Sequence, residues 1–75
     1  MKKIIHFTVS KGEKYYTAEC VELAIITQGS TLDETASNIR EATSLHFENE
    51  DYNDYGFIED PAISVNFELS ELEYA

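Results

Sequence analysis

The sequence predicts an α+β domain, a two-layer sandwich in the order β-β-β-α-β, and three observations carry that prediction. Apolar residues alternate with period two on both sides of a glycine turn near the N-terminus. The run that follows "TQGST" carries apolar residues three and four apart. A further alternating run follows the one proline. With 75 residues, 43% of them hydrophobic, the chain is expected to form a single domain, residues 1–75, around one core.

From Lys3 to Ser10, Ile5, Phe7 and Val9 alternate with Ile4, His6 and Thr8, as in a strand with one strongly apolar face. Gly12 in "SKGEK" supplies a turn. "YYTAECV" then reads as a second strand, with Tyr16, Ala18 and Cys20 on one face and Tyr15, Thr17 and Glu19 on the other. These two strands are expected to form a hairpin. "AIITQG" reads as a short third strand, antiparallel to the second across a tight link at Glu22 and Leu23.

Helical spacing begins after Gly29, in the stripe Leu32, Ala36, Ile39, Ala42 or Thr43, and His46, and fades between Phe47 and Asn49. Thr31 is the expected N-cap, since its hydroxyl can accept an otherwise unpaired backbone N–H, and Glu34 completes a T-x-x-E capping box. "ENEDYNDYGFIEDP" has neither period and reads as an acidic, aromatic loop, too long to be only a connector. In "AISVNFEL", Ile63, Val65, Phe67 and Leu69 alternate as a fourth strand, expected to pair in parallel with the first. The final "SELEYA" is expected to fray or to extend an edge. The sheet face bearing Ile4, His6, Tyr15 and Thr17 is too apolar for an ordinary solvated surface, and a dimer contact could cover it.

Charge narrows the function classes. Fifteen acids against five bases give −10, and the ten acids after Arg40 are accompanied by no lysine or arginine. Nucleic-acid binding depends on neutralising phosphates with Lys and Arg, so direct binding is not expected. A basic partner is the complement, and solubility is the plainer alternative. The "MKKIIHFTVS" start is too short and too polar for a signal peptide or a membrane span, so no membrane association is expected. A lone cysteine fits a reducing, cytoplasmic setting. So small a core also makes self-association a reasonable expectation.

"YYTAECVELAIITQGSTLDETASNIREA" resembles the HicB-like antitoxin family. That family has a tyrosine strand ending in A-E-C-P-E-L, a short strand ending in T-x-G, then T-L-x-E-A and N-I-x-E-A. The matching positions are Tyr16, Ala18, Glu19, Cys20, Glu22, Leu23, Thr27, Gly29, Thr31, Leu32, Glu34, Asn38, Ile39, Glu41 and Ala42, within a likeness running from about Ile4 to Leu45. The family's proline after the cysteine is Val21 here, its proline-glycine before the third strand is Ala24 and Ile25, and the alanine after T-L-x-E is Thr35. The resemblance implies a partial RNase H-like fold, a cytoplasmic homo-oligomer, and inhibition of a small basic HicA-type toxin that cleaves mRNA. Many family members continue into a DNA-binding domain. This chain stops after the fourth strand, so operator binding is not expected.

Enzymatic chemistry finds little support. An RNase H-like nuclease needs carboxylates converging on divalent metal, usually with an acid in the first strand, and "KIIHFTVS" has none. Cys20 shares an apolar strand face and reads as a small buried hydrophobe. His6 and His46 lie in no ligand spacing, so neither a metal nor another cofactor is expected. Asp33 and Glu34 occupy the helix start that could otherwise cradle a phosphate, so "TQGST" reads as a structural cap. The expected partner contact is the acidic loop, through Asp51, Tyr52, Asp54 and Tyr55, with Glu19 and Glu22 as a second, weaker surface. The plainer reading of the loop is a solvated segment in which Phe57 and Ile58 cap the core. A stand-alone interaction module without a toxin is the alternative function.

Overall fold

In the computed structural model, which describes residues 1–68, β1 (Lys2–Lys11), β2 (Tyr16–Cys20), β3 (Ile26–Gly29), α1 (Leu32–His46) and β4 (Phe57–Glu68) follow in the expected order. The four strands form one mixed sheet, ordered β3-β2-β1-β4. β1 pairs antiparallel with β2, β2 antiparallel with β3, and β1 parallel with β4. The expectations for Leu69 and for "SELEYA" lie outside the described residues. Among the described residues no helix is long and apolar enough to cross a membrane.

Alternation along β1 decides which face is buried. Ile5, Phe7 and Val9 are almost wholly excluded from water, and the register sets them beside Ile63, Val65 and Phe67 on one flank. On the other flank Cys20 stands opposite Phe7, and Ala18 opposite Val9. These residues floor the core, which α1 covers over β2 and β3. The opposite sheet face stays open: Ile4 is 40% exposed and Tyr15 49%.

The helix is rotated relative to the expected stripe. Ile39 and Thr43 of that stripe are buried, but Leu32 and Ala36 are exposed, and Thr35, outside the stripe, is buried in their place. Two threonines serve there because each can return its hydroxyl to the preceding turn. Thr35 donates to the Thr31 carbonyl at 2.7 Å and Thr43 to the Ile39 carbonyl at 2.8 Å. Thr31 caps the helix as expected, its hydroxyl accepting the Glu34 N–H at 3.0 Å. The Glu34 carboxylate reaches one residue further back than a reciprocal box requires, accepting the Ser30 N–H at 2.6 Å and the Ser30 hydroxyl. Those bonds from Ser30 hold its carboxyl below the usual glutamate range. The helix start is therefore occupied by the chain's own acid.

The segment read as a loop contains two ordered pieces. A short 3-10 helix spans Tyr52–Tyr55, and β4 begins at Phe57, ahead of Pro61. Alternation fails between them because β4 bulges. Lys2 pairs with Phe57 but Ile4 with Ala62, and within the extra residues Asp60 takes a left-handed backbone with φ 52°. Phe57 is fully buried, sealing the core beside Phe47.

Gly29 joins sheet to helix. A Cβ there would stand 2.5 Å from the Thr35 hydroxyl, 2.7 Å from its amide nitrogen and 2.9 Å from its Cα. Gly29→Ala is expected to destabilise the domain by roughly 1–3 kcal/mol, the usual cost of overpacking. Adding Thr35→Ala will restore little, because two of the three close atoms are backbone. Urea denaturation followed by circular dichroism measures both effects.

Candidate partner-binding surface

The acidic segment is held in place by aromatic packing. Phe47 ends α1, its N–H donating to the Thr43 carbonyl at 3.2 Å, and its buried ring packs 4.2 Å from Tyr52 and 5.4 Å from Tyr55 between centroids. His46 lies 5.4 Å from Tyr55 on the same cluster. Asp51 caps the 3-10 helix by accepting the Asn53 N–H at 3.3 Å. Gly56 ends it with φ 83°, a conformation that a side chain at this position would oppose.

This frame gathers charge on one side. Glu48, Asn49, Glu50, Asp51, Tyr52, Asp54 and Glu59 line one open concavity. Glu59 reaches it from the irregular stretch of β4 between Phe57 and Ala62. Asp51 and Asp54 are exposed on its wall, and Tyr52 is half-buried, offering one edge of a ring whose other side is packed. Tyr55 lies outside the concavity and braces it, its hydroxyl donating to Glu50 at 2.6 Å. That hydrogen bond, with lesser effects of desolvation and the nearby Glu50 and Asp54 charges, raises the Tyr55 phenol above its ordinary range, so it remains a donor. The acids of this surface are visible in the sequence, whereas Asn49 and the bracing role of Phe47 are not. Neither belongs to a periodic pattern that would announce it.

Glu19 and Glu22 lie elsewhere. Glu19 is exposed on the open sheet face, between Thr8 and Ile26 of the neighbouring strands. Glu22 turns inward at the end of β2, where one carboxylate oxygen accepts the His6 backbone N–H at 2.9 Å and the other contacts its Nδ1 at 2.6 Å. Its side chain is only 15% exposed. The Cys20 thiol donates to the same carboxylate at 3.7 Å, and accepts the Leu23 N–H at 3.3 Å. The carboxylate, rather than the imidazole, is thus the sulfur's partner. This is the wrong order for base activation of a nucleophile. Burial raises the thiol further, beyond what the backbone N–H groups offset. Among the described residues no three of His, Cys, Asp and Glu converge as a metal site.

Glu22 makes stability depend on pH. Desolvation pushes its carboxyl upward, but hydrogen bonds from the His6 backbone and ring outweigh this and leave it below the ordinary value of 4.5. Its contribution is therefore complete above that value and is lost as pH falls through the depressed one. Glu22→Ala is expected to cost about 1.5–3 kcal/mol at neutral pH, the range for hydrogen bonds to a charged group, and to flatten the acid limb of the stability curve. Urea midpoints between pH 7 and pH 3 test this, and an unchanged acid slope would refute the assignment.

Compared with known proteins, the chain matches no family model, and neither a curated protein nor a solved structure matches it significantly.

Proposed function

We propose that this chain is a cytoplasmic, non-enzymatic antitoxin-like subunit of the HicB type, which binds and occludes a small basic ribonuclease of the HicA type. The observation that carries the reading is the acidic concavity, where Glu48, Glu50, Asp51, Asp54 and Glu59 surround Tyr52 on a frame fixed by aromatic packing. A ribonuclease must present cationic groups to RNA phosphates. Fixed carboxylates opposite those groups compete for them, while an aromatic edge supplies desolvated contact area.

The resemblance between Tyr16 and Ala42 supports the same reading, as does the net charge of −10. Its matched residues have physical roles here: Gly29 and Thr31 form the sheet-to-helix junction, and Glu22 closes the end of β2. The partial RNase H-like description of the fold rests on this resemblance too. A stand-alone interaction module is the second reading, favoured by the open face with its exposed Ile4, Tyr15 and Ile26.

Tagged protein recovered from its native host, with partners identified by mass spectrometry, is expected to carry a small basic chain whose RNA cleavage it suppresses. Recovery without such a chain favours the second reading. With that partner in hand, Asp51→Lys combined with Asp54→Lys is expected to slow association by about tenfold or more at low salt, and less at high salt. Stopped-flow fluorescence measures this, and an unchanged rate removes the concavity from the contact.

A further inference from the structure

The two edges of the sheet are finished differently. β3 has four residues, and α1 occupies it through Asn38, whose side-chain amide donates to the Gln28 carbonyl at 2.7 Å. β4 has twelve residues and, among the described residues, pairs with β1 on one side only. Backbone N–H and C=O groups turn to alternate sides along a strand, so every second residue of Ala62–Phe67 has both without a strand partner. The devices that usually protect an edge, here Glu59, Asp60, Pro61 and the bulge, are gathered at the beginning of β4.

Beside this edge runs a groove, lined by Ala36, Ile39 and Arg40 of α1 and by Pro61, Ile63 and Val65 of β4. It exists because α1 sits over β2 and β3 and leaves the helix-side row of β4 partly bare, with Val65 46% exposed and Phe67 41%. At about 370 Å³ the groove has room for side chains of a further strand. Its one charge is Arg40, the only lysine or arginine in α1. Among the described residues Arg40 makes no hydrogen bond or ion pair, although the chain carries fifteen acids.

We propose that β4 takes up an extended segment of another protein as a fifth strand, one whose helix-side residues are apolar except for a single aspartate or glutamate that pairs with Arg40. Three features each fix a part of this occupant. The unpaired backbone calls for an extended chain, and the apolar lining calls for apolar side chains at every second position. Arg40 calls for a carboxylate in the same row, because a planar guanidinium matches a carboxylate through two parallel N–H donors. The ends of β4 limit where that acid can stand. Glu59 and Asp60 lie at one end and Glu68 at the other, so an acid near either end of the added segment is repelled and one at its middle is not. A second copy of β4 does not fit this description, since its Ala62–Phe67 stretch brings no acid to Arg40. The groove shares no residue with the acidic concavity, and the proposal does not rest on the antitoxin reading.

Amide-resolved NMR on the full chain tests this, with two capped peptides of alternating valine and threonine that differ only in a central glutamate or lysine. The glutamate peptide is expected to shift the amides of Ala62–Phe67 and to bind there about tenfold more tightly than the lysine peptide. General attraction to a chain of net charge −10 works the other way, so this preference isolates Arg40. Arg40→Glu is expected to reverse the preference at β4. Should that variant fail to fold, Arg40→Gln decides, and it is expected to erase the preference. A parent whose Ala62–Phe67 amides respond to neither peptide overturns the proposal, whether the edge is free or held by a second copy. Equal binding of the two peptides at β4, or a folded Arg40 variant that still prefers glutamate, overturns it as well.

Discussion

The parallel pairing of β1 with β4 is the constraint on which the rest of this structure depends. An antiparallel neighbour can be reached through a short turn, as β2 is, but a parallel neighbour requires the chain to cross the sheet and return. That crossing contains β2, β3, α1 and the acidic segment. Its helix covers Ile5, Phe7, Val9, Ala18 and Cys20, and its return brings Phe57 into the core. The acidic concavity lies on the return leg because a chain leaving the end of α1 must turn there to enter β4.

Much of this was legible in the sequence because local chemistry and tertiary demand agreed. Alternation in β1 and β2, the hydroxyl of Thr31 and the glycine at Gly29 each have one inexpensive structural use, and the fold uses them so. Reading failed where two residue types can do one job. Thr35 reads as polar, yet a threonine that returns its hydroxyl to the carbonyl four residues earlier packs as an apolar residue does, as Thr43 of the expected stripe does too. The buried stripe therefore shifted away from Leu32 and Ala36. It failed again at Phe57–Asp60, where a bulge removes the period that reveals a strand.

For the candidate surface, the acids were visible as composition, but their arrangement was not. Only the packing of Tyr52 against Phe47 and the bond from Tyr55 to Glu50 turn a run of like charges into a fixed shape. Carboxylates so placed repel one another, and this repulsion acts throughout the life of the free protein. Buried aromatic area is the opposing term, and it sits directly beneath the charge. Glu22 shows the converse. Its charge is consumed internally, in tying β1 to the end of β2, so an acid in the matched motif need not be an acid on the surface.

The parallel pair also sets an order of events during synthesis. β1 leaves the ribosome first and its partner β4 last of the described elements, so the strand at the middle of the finished sheet spends translation with one side unpaired. β2 and β3 can form a meander on it early, but that meander is a three-stranded sheet with its most apolar strand at the edge. Closure waits for the final contacts, those most distant in sequence, which slows folding relative to a chain built from local pairs. A nascent chain stalled near the end of α1 would present Ile5, Phe7 and Val9 with neither β4 nor Phe57 in place. For so small a domain, the interval most open to chaperones or to wrong pairing is therefore set by the last stretch of translation.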